Sequence, residues 1–228
     1  MLRRSFVAAA LLVAAPFVTT VFADGVSADT PPTCQNLITG REVTATKWLD
    51  APGTLIGTAG PDVLAGSTGS DVIKGLGGND IICTQPAFTV GDPDVVEGGT
   101  GNDQIGGYGT LRGGAGSDII STGTGGFADG GTGNDDLIAV QGGSASGGAG
   151  DDKVKAFDGG SADGGSGNDE VAGFNAILLG GSGNDFVSIY IPGYAATRID
   201  CGSGRDTYAP ELTTDVRRCE TDVTTDLP

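Results

Sequence analysis

One nine-residue phrase recurs through the second half of the chain. It reads G-G-x-G-x-D-x-U-x, with U a large apolar residue, at residues 130–138, 147–155, 164–172 and 180–188. Looser copies begin at Gly98, Gly113 and Cys201, so that successive copies start about 17 residues apart. Self-similarity at a short fixed period is typical of solenoids, in which each repeat forms one coil that stacks on the next. The spacing therefore predicts an all-β parallel β-roll, or β-solenoid, with coils of about 17–18 residues.

The residue pattern within one copy predicts a tight turn followed by a short strand. Three glycines permit backbone conformations with positive φ that a side chain would obstruct. Because strand side chains alternate between faces, the aspartate and the apolar residue two positions later point to the same side, which we expect to be the interior. The aspartates are Asp103, Asp118, Asp135, Asp152, Asp169, Asp185 and Asp206. Their apolar partners are Ile105, Ile120, Leu137, Val154, Val171, Val187 and Tyr208.

Stacking these coils brings the aspartates into one crowded row. Neighbouring strands lie about 4.8 Å apart, and two carboxylates at that distance repel by roughly 3 kcal/mol at an effective dielectric constant of about 20. A cation between successive aspartates replaces this repulsion with attraction. A site of carboxylate and backbone carbonyl oxygens suits Ca²⁺ better than Zn²⁺. We therefore expect several calcium ions between the coils, and folding that is coupled to their binding.

The run resembles the nonapeptide repeat of the RTX proteins, the hemolysin-type calcium-binding family. The likeness is close over residues 98–206 and looser over 57–83, where three copies follow one another without a break. It implies a parallel β-roll in which Ca²⁺ lies between the G-G-x-G-x-D turns of successive coils. The carboxylates thereby assigned to the metal are those of the seven aspartates above, with Asp62 and Asp80. The turn glycines thereby assigned to it are Gly98, Gly99, Gly101, Gly113, Gly114, Gly116, Gly130, Gly131, Gly133, Gly147, Gly148, Gly150, Gly164, Gly165, Gly167, Gly180, Gly181 and Gly183.

The chain departs from the usual layout of that family in one respect. Each copy from Gly98 onward is followed by about eight residues without a G-x-D, and glycine pairs recur there at 125–126, 142–143 and 159–160. We therefore expect one edge of the roll to carry calcium and the second edge to turn on glycine alone. Among the three contiguous copies, Asp71 should face the second edge. A second inward row is expected two positions before each copy, at Val96, Leu111, Ala128, Ala145, Ala162, Leu178 and Ile199.

The beginning of the chain is typical of a secretory signal peptide. A basic start precedes an apolar run, and residues 21–23 provide a small-residue cleavage site. A retained membrane anchor is the rival interpretation, which Pro16 within the run disfavours. We expect a secreted, extracellular protein divided into a signal peptide (1–23), a disordered leader (24–33), an N-terminal cap (34–56), the calcium-binding β-roll (57–208) and a C-terminal cap or tail (209–228).

Four cysteines in an exported chain indicate two disulfides, for which three pairings exist. Cys34 lies in the expected cap and Cys83 ends the third contiguous copy, whereas Cys201 opens the last copy and Cys219 lies in the tail. We favour Cys34 with Cys83 and Cys201 with Cys219, because this pairing fastens both ends of the stack, where fraying begins. A catalytic thiol is the alternative, but the chain has no histidine to activate it.

Composition argues against catalysis and against several classes of partner. Without histidine, neither a Ser-His-Asp arrangement nor a zinc-protease helix can exist. Paired carboxylates acting on a sugar polymer are a further alternative, but the regularly spaced aspartates are already accounted for by the metal row. A formal net charge of −17 disfavours nucleic acid and anionic membranes. We expect a monomeric calcium-binding protein without enzymatic activity or membrane insertion.

Two other functions stay open. A calcium-dependent adhesin would bind a cell surface or a polysaccharide. Ice binding would use the outward residues at the third and fifth positions of the phrase, because GTGND at 99–103 and 131–135 is similar to the ice-binding solenoids of RTX adhesins. Only two of the seven copies keep both residues, at Thr100 with Asn102 and at Thr132 with Asn134. We therefore favour ice binding less than adhesion.

Overall fold

The computed structural model describes residues 30–84, 93–189, 195–209 and 215–222. The expected signal peptide and the leader as far as residue 29 lie outside these residues, as do the parts of the expected tail at 210–214 and 223–228. Within the described ranges the regular structure is all β, and no helix is long and apolar enough to cross a membrane.

Two long parallel sheets are built from alternate strands of the chain, which confirms the predicted β-solenoid. The first sheet contains β4 (Thr54–Ile56), β6 (Val72–Gly77), β8 (Asp94–Thr100), β10 (Gly109–Ala115), β12 (Phe127–Thr132), β14 (Ser144–Ala149), β16 (Ser161–Ser166), β18 (Ile177–Ser182), β20 (Arg198–Ser203) and β22 (Val216–Arg217). The second sheet contains β3 (Lys47–Trp48), β5 (Val63–Ala65), β7 (Ile81–Cys83), β9 (Gln104–Gly107), β11 (Ile119–Thr122), β13 (Asp136–Ala139), β15 (Lys153–Phe157), β17 (Glu170–Phe174), β19 (Phe186–Ile189), β21 (Thr207–Ala209) and β23 (Thr221–Asp222).

The register of these sheets places equivalent positions of the phrase side by side. Gly114 is paired with Gly99 on one side and with Gly131 on the other, and Leu137 lies between Ile120 and Val154. Each phrase therefore spans one edge of the roll, from the end of a strand in the first sheet to the start of a strand in the second. We call this edge, where the aspartates of the phrase lie, the carboxylate edge.

The core is a single thin layer between the two sheets. Both predicted inward rows are buried, except that Tyr208 is only partly buried against the same cluster. Three consecutive coils contribute alanine to the first sheet's row, at Ala128, Ala145 and Ala162. Because an alanine side chain removes little apolar surface from water, each of these coils gains little stability from burial.

Residues 34–56, the expected N-terminal cap, contain two different structures. An antiparallel hairpin of β1 (Thr33–Gln35) and β2 (Glu42–Thr44) packs on the outer face of the second sheet, where Cys34 and Ala45 contact Val63, Ala65 and Ile81. Strands β3 and β4 then begin the two long sheets. The hairpin thus covers one face of the first coils, and the coil at the end of the stack is formed by residues of the expected cap.

Both disulfides form as predicted, one near each end. Cys34 is bonded to Cys83, which fastens the hairpin to β7, and Cys201 is bonded to Cys219.

The second edge does not turn on glycine alone. Gly125, Gly142 and Gly159 do adopt positive φ there, but so do Gln141 and Asp158, at 50° and 57°, and Asn175, at 50°. Asn and Asp adopt the left-handed conformation at lower cost than most residues because their short polar side chains bond locally. The prediction that these turns rest on glycine alone is therefore wrong, because Gln141 and Asp158 are left-handed beside a left-handed glycine and Asn175 is left-handed without one.

Candidate metal centre

All nine predicted aspartates lie in one buried row along the carboxylate edge. The exposed fraction of each side chain is 8% for Asp62 and between 0% and 2% for the other eight. Their predicted inward position is confirmed, and their role as metal ligands stays a prediction. These eight aspartates are Asp80, Asp103, Asp118, Asp135, Asp152, Asp169, Asp185 and Asp206.

A ladder of hydrogen bonds holds one oxygen of each carboxylate. The backbone N–H of Asp118 donates to Oδ1 of Asp135, that of Asp135 to Oδ1 of Asp152, and the pattern runs without a break from Asp62 to Asp206. The donor–acceptor distances are 2.7–3.0 Å. Every carboxylate from Asp80 to Asp206 is thereby fixed in orientation toward the coil before it.

The other oxygen of these carboxylates has no such partner. Oδ2 is buried and accepts no hydrogen bond from any described residue in seven successive aspartates, Asp80, Asp103, Asp118, Asp135, Asp152, Asp169 and Asp185. An unsatisfied buried acceptor costs about 1–3 kcal/mol, and more if it is charged. A row of seven is far beyond what a stable interior tolerates without a ligand.

Each of these Oδ2 atoms faces the first glycine of its own phrase. A Cβ atom at Gly130 would lie 2.3 Å from Oδ2 of Asp135 and 2.5 Å from the carbonyl oxygen of Gly147 in the next coil. The corresponding distances for the glycines from Gly75 to Gly180 are 2.1–2.8 Å and 2.2–2.7 Å. Only glycine fits here. We call this space, between the first glycine, Oδ2 of its phrase and the carbonyl oxygen of the next coil, the carboxylate notch.

The glycines at the second and fourth positions of the phrase shape the turn around the notch. Gly131 and Gly133 have φ of 106° and 123°, and a Cβ atom at either would collide with the backbone of the preceding coil. The close stacking also brings the N–H of Gly133 to the carbonyl oxygen of Ala149, at 2.8 Å. Turn carbonyls and carboxylates of successive coils are therefore concentrated along one edge.

The electrostatics of the row show how unfavourable its bare charge is. The pKa values of Asp103, Asp152, Asp169 and Asp185 are raised from 3.8 to about 6, mainly by burial and to a smaller extent by neighbouring carboxylates. The N–H bond from the preceding aspartate opposes this rise. Burial raises the pKa of Asp118 to about 7, and the pKa values of Asp80 and Asp135 are raised for the same reason. A positive ion in the notch would oppose these shifts, because a nearby positive charge stabilises the ionised carboxylate.

The chemistry of the available oxygens fits calcium. No three acidic, histidine or cysteine side chains of the described residues are grouped closely enough to hold a metal by themselves. Backbone carbonyls must therefore complete the ligand set, and a mixture of carboxylate and carbonyl oxygens is the set that Ca²⁺ accepts. The residues that would hold it are the seven aspartates with unsatisfied Oδ2 atoms and the carbonyls of the turn glycines.

The N-terminal end of the row differs from the rest. Oδ2 of Asp62 accepts hydrogen bonds from the N–H and Oγ1 of Thr58, at 2.6 Å and 2.8 Å, and Nζ of Lys47 lies 3.9 Å from Oδ1. These partners already compensate its charge.

One buried carboxylate at the second edge was missed in the sequence. Asp71 does face that edge as expected, and its N–H donates to Oδ1 of Asp94 at 2.8 Å. Asp94 is 4% exposed. The sequence does contain an indication of Asp94. The triplet Asp94-Val95-Val96 repeats the pattern of Asp71-Val72-Ile73, and the sheet pairs the two triplets in register. The triplet lacks the glycines of the phrase and follows a break in the period, which concealed it.

The fold and its buried row define the class of this protein, a parallel β-roll that buries aspartates along one edge. In comparison with protein families, residues 54–84, 89–109 and 110–126 match the RTX calcium-binding nonapeptide repeat (4 copies). The matched residues are thus RTX calcium-binding repeats, and the resemblance seen in the sequence is confirmed. Neither the curated proteins nor the solved structures contain a significant match.

Proposed function

We propose that this chain is a secreted, non-enzymatic protein whose fold is completed by calcium ions bound between successive coils at the carboxylate edge. One observation carries the proposal, the run of seven buried Oδ2 atoms that accept no hydrogen bond from the described residues. Each belongs to a carboxylate whose other oxygen is already held by the backbone. The remaining lone pairs point at a notch that the glycine keeps open.

The thin core supports a coupling between calcium binding and folding. Coils that contribute Ala128, Ala145 and Ala162 bury little apolar surface, whereas each adds a carboxylate of raised pKa to the row. Apolar burial then does not offset the free-energy cost of burying ionised carboxylates, and the binding of the ion supplies the missing stability. Extracellular calcium modules bind at about 10⁻⁴ to 10⁻³ M, so such a chain would fold after export. The two disulfides suit the same oxidising environment.

The test is circular dichroism of the oxidised protein with calcium, after chelation, and with magnesium at equal ionic strength. We expect the β spectrum with calcium only. Magnesium is the control for charge screening, because it prefers a rigid octahedral site and retains its waters. A calcium-free sample with an unchanged spectrum and a cooperative thermal transition would contradict the proposal.

A calcium-dependent adhesive function is the second candidate. The third and fifth positions of every phrase are exposed beside the carboxylate edge, as at Thr132, Asn134, Ser166 and Asn168. The N–H of Asn184 donates to Oδ1 of Asn168, and that of Arg205 to Oδ1 of Asn184, so these side chains are held in a regular row. A regular polar row could bind a surface polysaccharide. Binding of whole cells or cell-wall polymer that requires calcium, and that is lost in Asn134→Ala/Asn168→Ala, would support it.

A further inference from the structure

The C-terminal end of the carboxylate row is built differently from its interior. The register Gly181↔Gly202 places Cys201 at the first position of the last phrase, where the preceding coils have glycine. Cys201 is fully buried and belongs to the core, so its side chain points inward as the notch does. A Cβ atom at Gly180 would lie 2.8 Å from Oδ2 of Asp185. At residue 201 a Cβ atom is present, and the same space is therefore filled.

The turn that follows Cys201 in the stack is also too short to complete a notch. The registers Asp200↔Arg217 and Thr207↔Thr221 leave residues 201–206 in one coil but only 218–220 in the next. Glu220 takes the position equivalent to Asp206, and it is exposed, whereas every aspartate of the row is buried. The final coil thus lacks both the glycine turn and the buried carboxylate that each interior coil presents to its neighbour.

A covalent bond joins the two coils at this place. Cys219 lies within the shortened turn, and its disulfide to Cys201 links the last phrase to the coil beyond it. From these three observations we infer that the Cys201–Cys219 disulfide takes the place of a calcium ion at the C-terminal end of the row. The series of ions stops at the notch formed by Gly180, Asp185 and the carbonyl of Cys201, and the end coil is held without metal. This inference rests on the proposed function.

Two aspartates of neighbouring coils provide the sharpest test. Asp185→Asn removes the charge from the last open notch, whereas Asp206→Asn removes it from the filled one, and in both variants an asparagine oxygen can still accept the N–H bond of the ladder. Calcium bound per oxidised protein is counted by equilibrium dialysis at saturating calcium. We expect one ion fewer in Asp185→Asn and the wild-type number in Asp206→Asn. An equal loss in both variants overturns the inference and leaves the proposed function intact. A wild-type protein without calcium overturns both.

A second measurement keeps the test independent of stoichiometry. Cys201→Ala/Cys219→Ala keeps the Cβ atom but removes the bond, and Cys34→Ala/Cys83→Ala is the matched control at the other end. Amide hydrogen exchange is followed over residues 198–203 and 216–217 at two calcium concentrations that both keep the interior coils folded. We expect the first pair to lose protection of 216–217 at both concentrations while 198–203 stays protected, and the control to keep protection of both segments. Protection of 216–217 that rises with calcium concentration in the first pair would show that an ion can bind there, and would overturn the inference.

Discussion

Both edges of the roll reverse the chain between the two sheets, but the turns at the two edges are packed differently. At the carboxylate edge the turn is packed so closely that a Cβ atom at Gly147 would lie 2.4 Å from Oδ2 of Asp152 and 2.5 Å from the next coil. At the second edge a Cβ atom at Gly142 would meet nothing within 4 Å. The first edge buries a carboxylate in every coil, whereas the corresponding turn residues Gln141, Asp158 and Asn175 are exposed.

This difference shows where calcium acts on the fold. The second edge is complete as a turn, since its left-handed residues Gln141, Asp158 and Asn175 are exposed to water. The carboxylate edge is geometrically complete but electrostatically incomplete, because one oxygen of each of the seven carboxylates from Asp80 to Asp185 is buried without a donor among the described residues. At the second edge glycine serves backbone conformation, as at Gly142, or close stacking, as at Gly160, where a Cβ atom would lie 2.0 Å from the carbonyl oxygen of Gly143. Glycine serves the carboxylate edge by leaving space beside an anion, which is a property of a binding site.

The largest expected difference between the edges comes from adding one methyl group to each. Gly147→Ala places its Cβ atom against Asp152 and Gly164, and we expect a loss of about 3 kcal/mol or more in the free energy of unfolding with calcium. Gly142→Ala meets open space and adds only the cost of a left-handed alanine, about 1 kcal/mol. Urea unfolding at saturating calcium measures both. Equal losses would mean that the notch is not tightly packed.

Removing one carboxylate from each edge should have a smaller and more local effect. Asp152→Asn withdraws the charge from one notch, so we expect one bound ion fewer and a higher calcium midpoint of folding. Asp158→Asn changes an exposed residue of the second edge, and the number of ions should stay as in the wild type. Equilibrium dialysis and a calcium titration followed by circular dichroism give both quantities. If Asp158→Asn also lost an ion, calcium would not be confined to one edge.

The smallest effect is a pH dependence of the calcium-free protein, which the carboxylate edge alone should cause. Because the folded pKa values of Asp103, Asp152, Asp169 and Asp185 are raised to about 6, the fold favours their protonated forms. Residual stability without calcium is then present near pH 4 and is lost as pH rises through about 6 to 7. Protein freed of calcium by dialysis should therefore regain part of its β circular dichroism at pH 5 and none of it at pH 8. The opposite order would contradict the raised pKa values.

Much of the architecture could be predicted because the phrase is periodic. Once equivalent residues recur about every 17 positions, stacking in register follows, and alternation along each strand assigns Asp135 and Leu137 to the interior. The disulfide pairing was also predictable, since each pair lies near one end of the stack. These inferences need only local geometry and the repeat, which are both present in the order of the residues.

Other features depend on contacts between residues that the repeat does not relate. The hairpin of β1 and β2 covers the outer face of the second sheet because Val63, Ala65 and Ile81 are left uncovered there, a fact that appears only when the strands are placed. Asp94 joins Asp71 through sheet register rather than through a shared motif. Likewise, the split between a bonded Oδ1 and an unsatisfied Oδ2 could not be read from a row of aspartate letters.

The order of the residues is enough to give the period, the row of aspartates and the glycines beside them, because each is a property of one coil repeated along the chain. The packing of the coils is needed to show which oxygen of the seven carboxylates remains available and which turns are open to water. These depend on distances between coils, and such distances exist only after the coils have stacked.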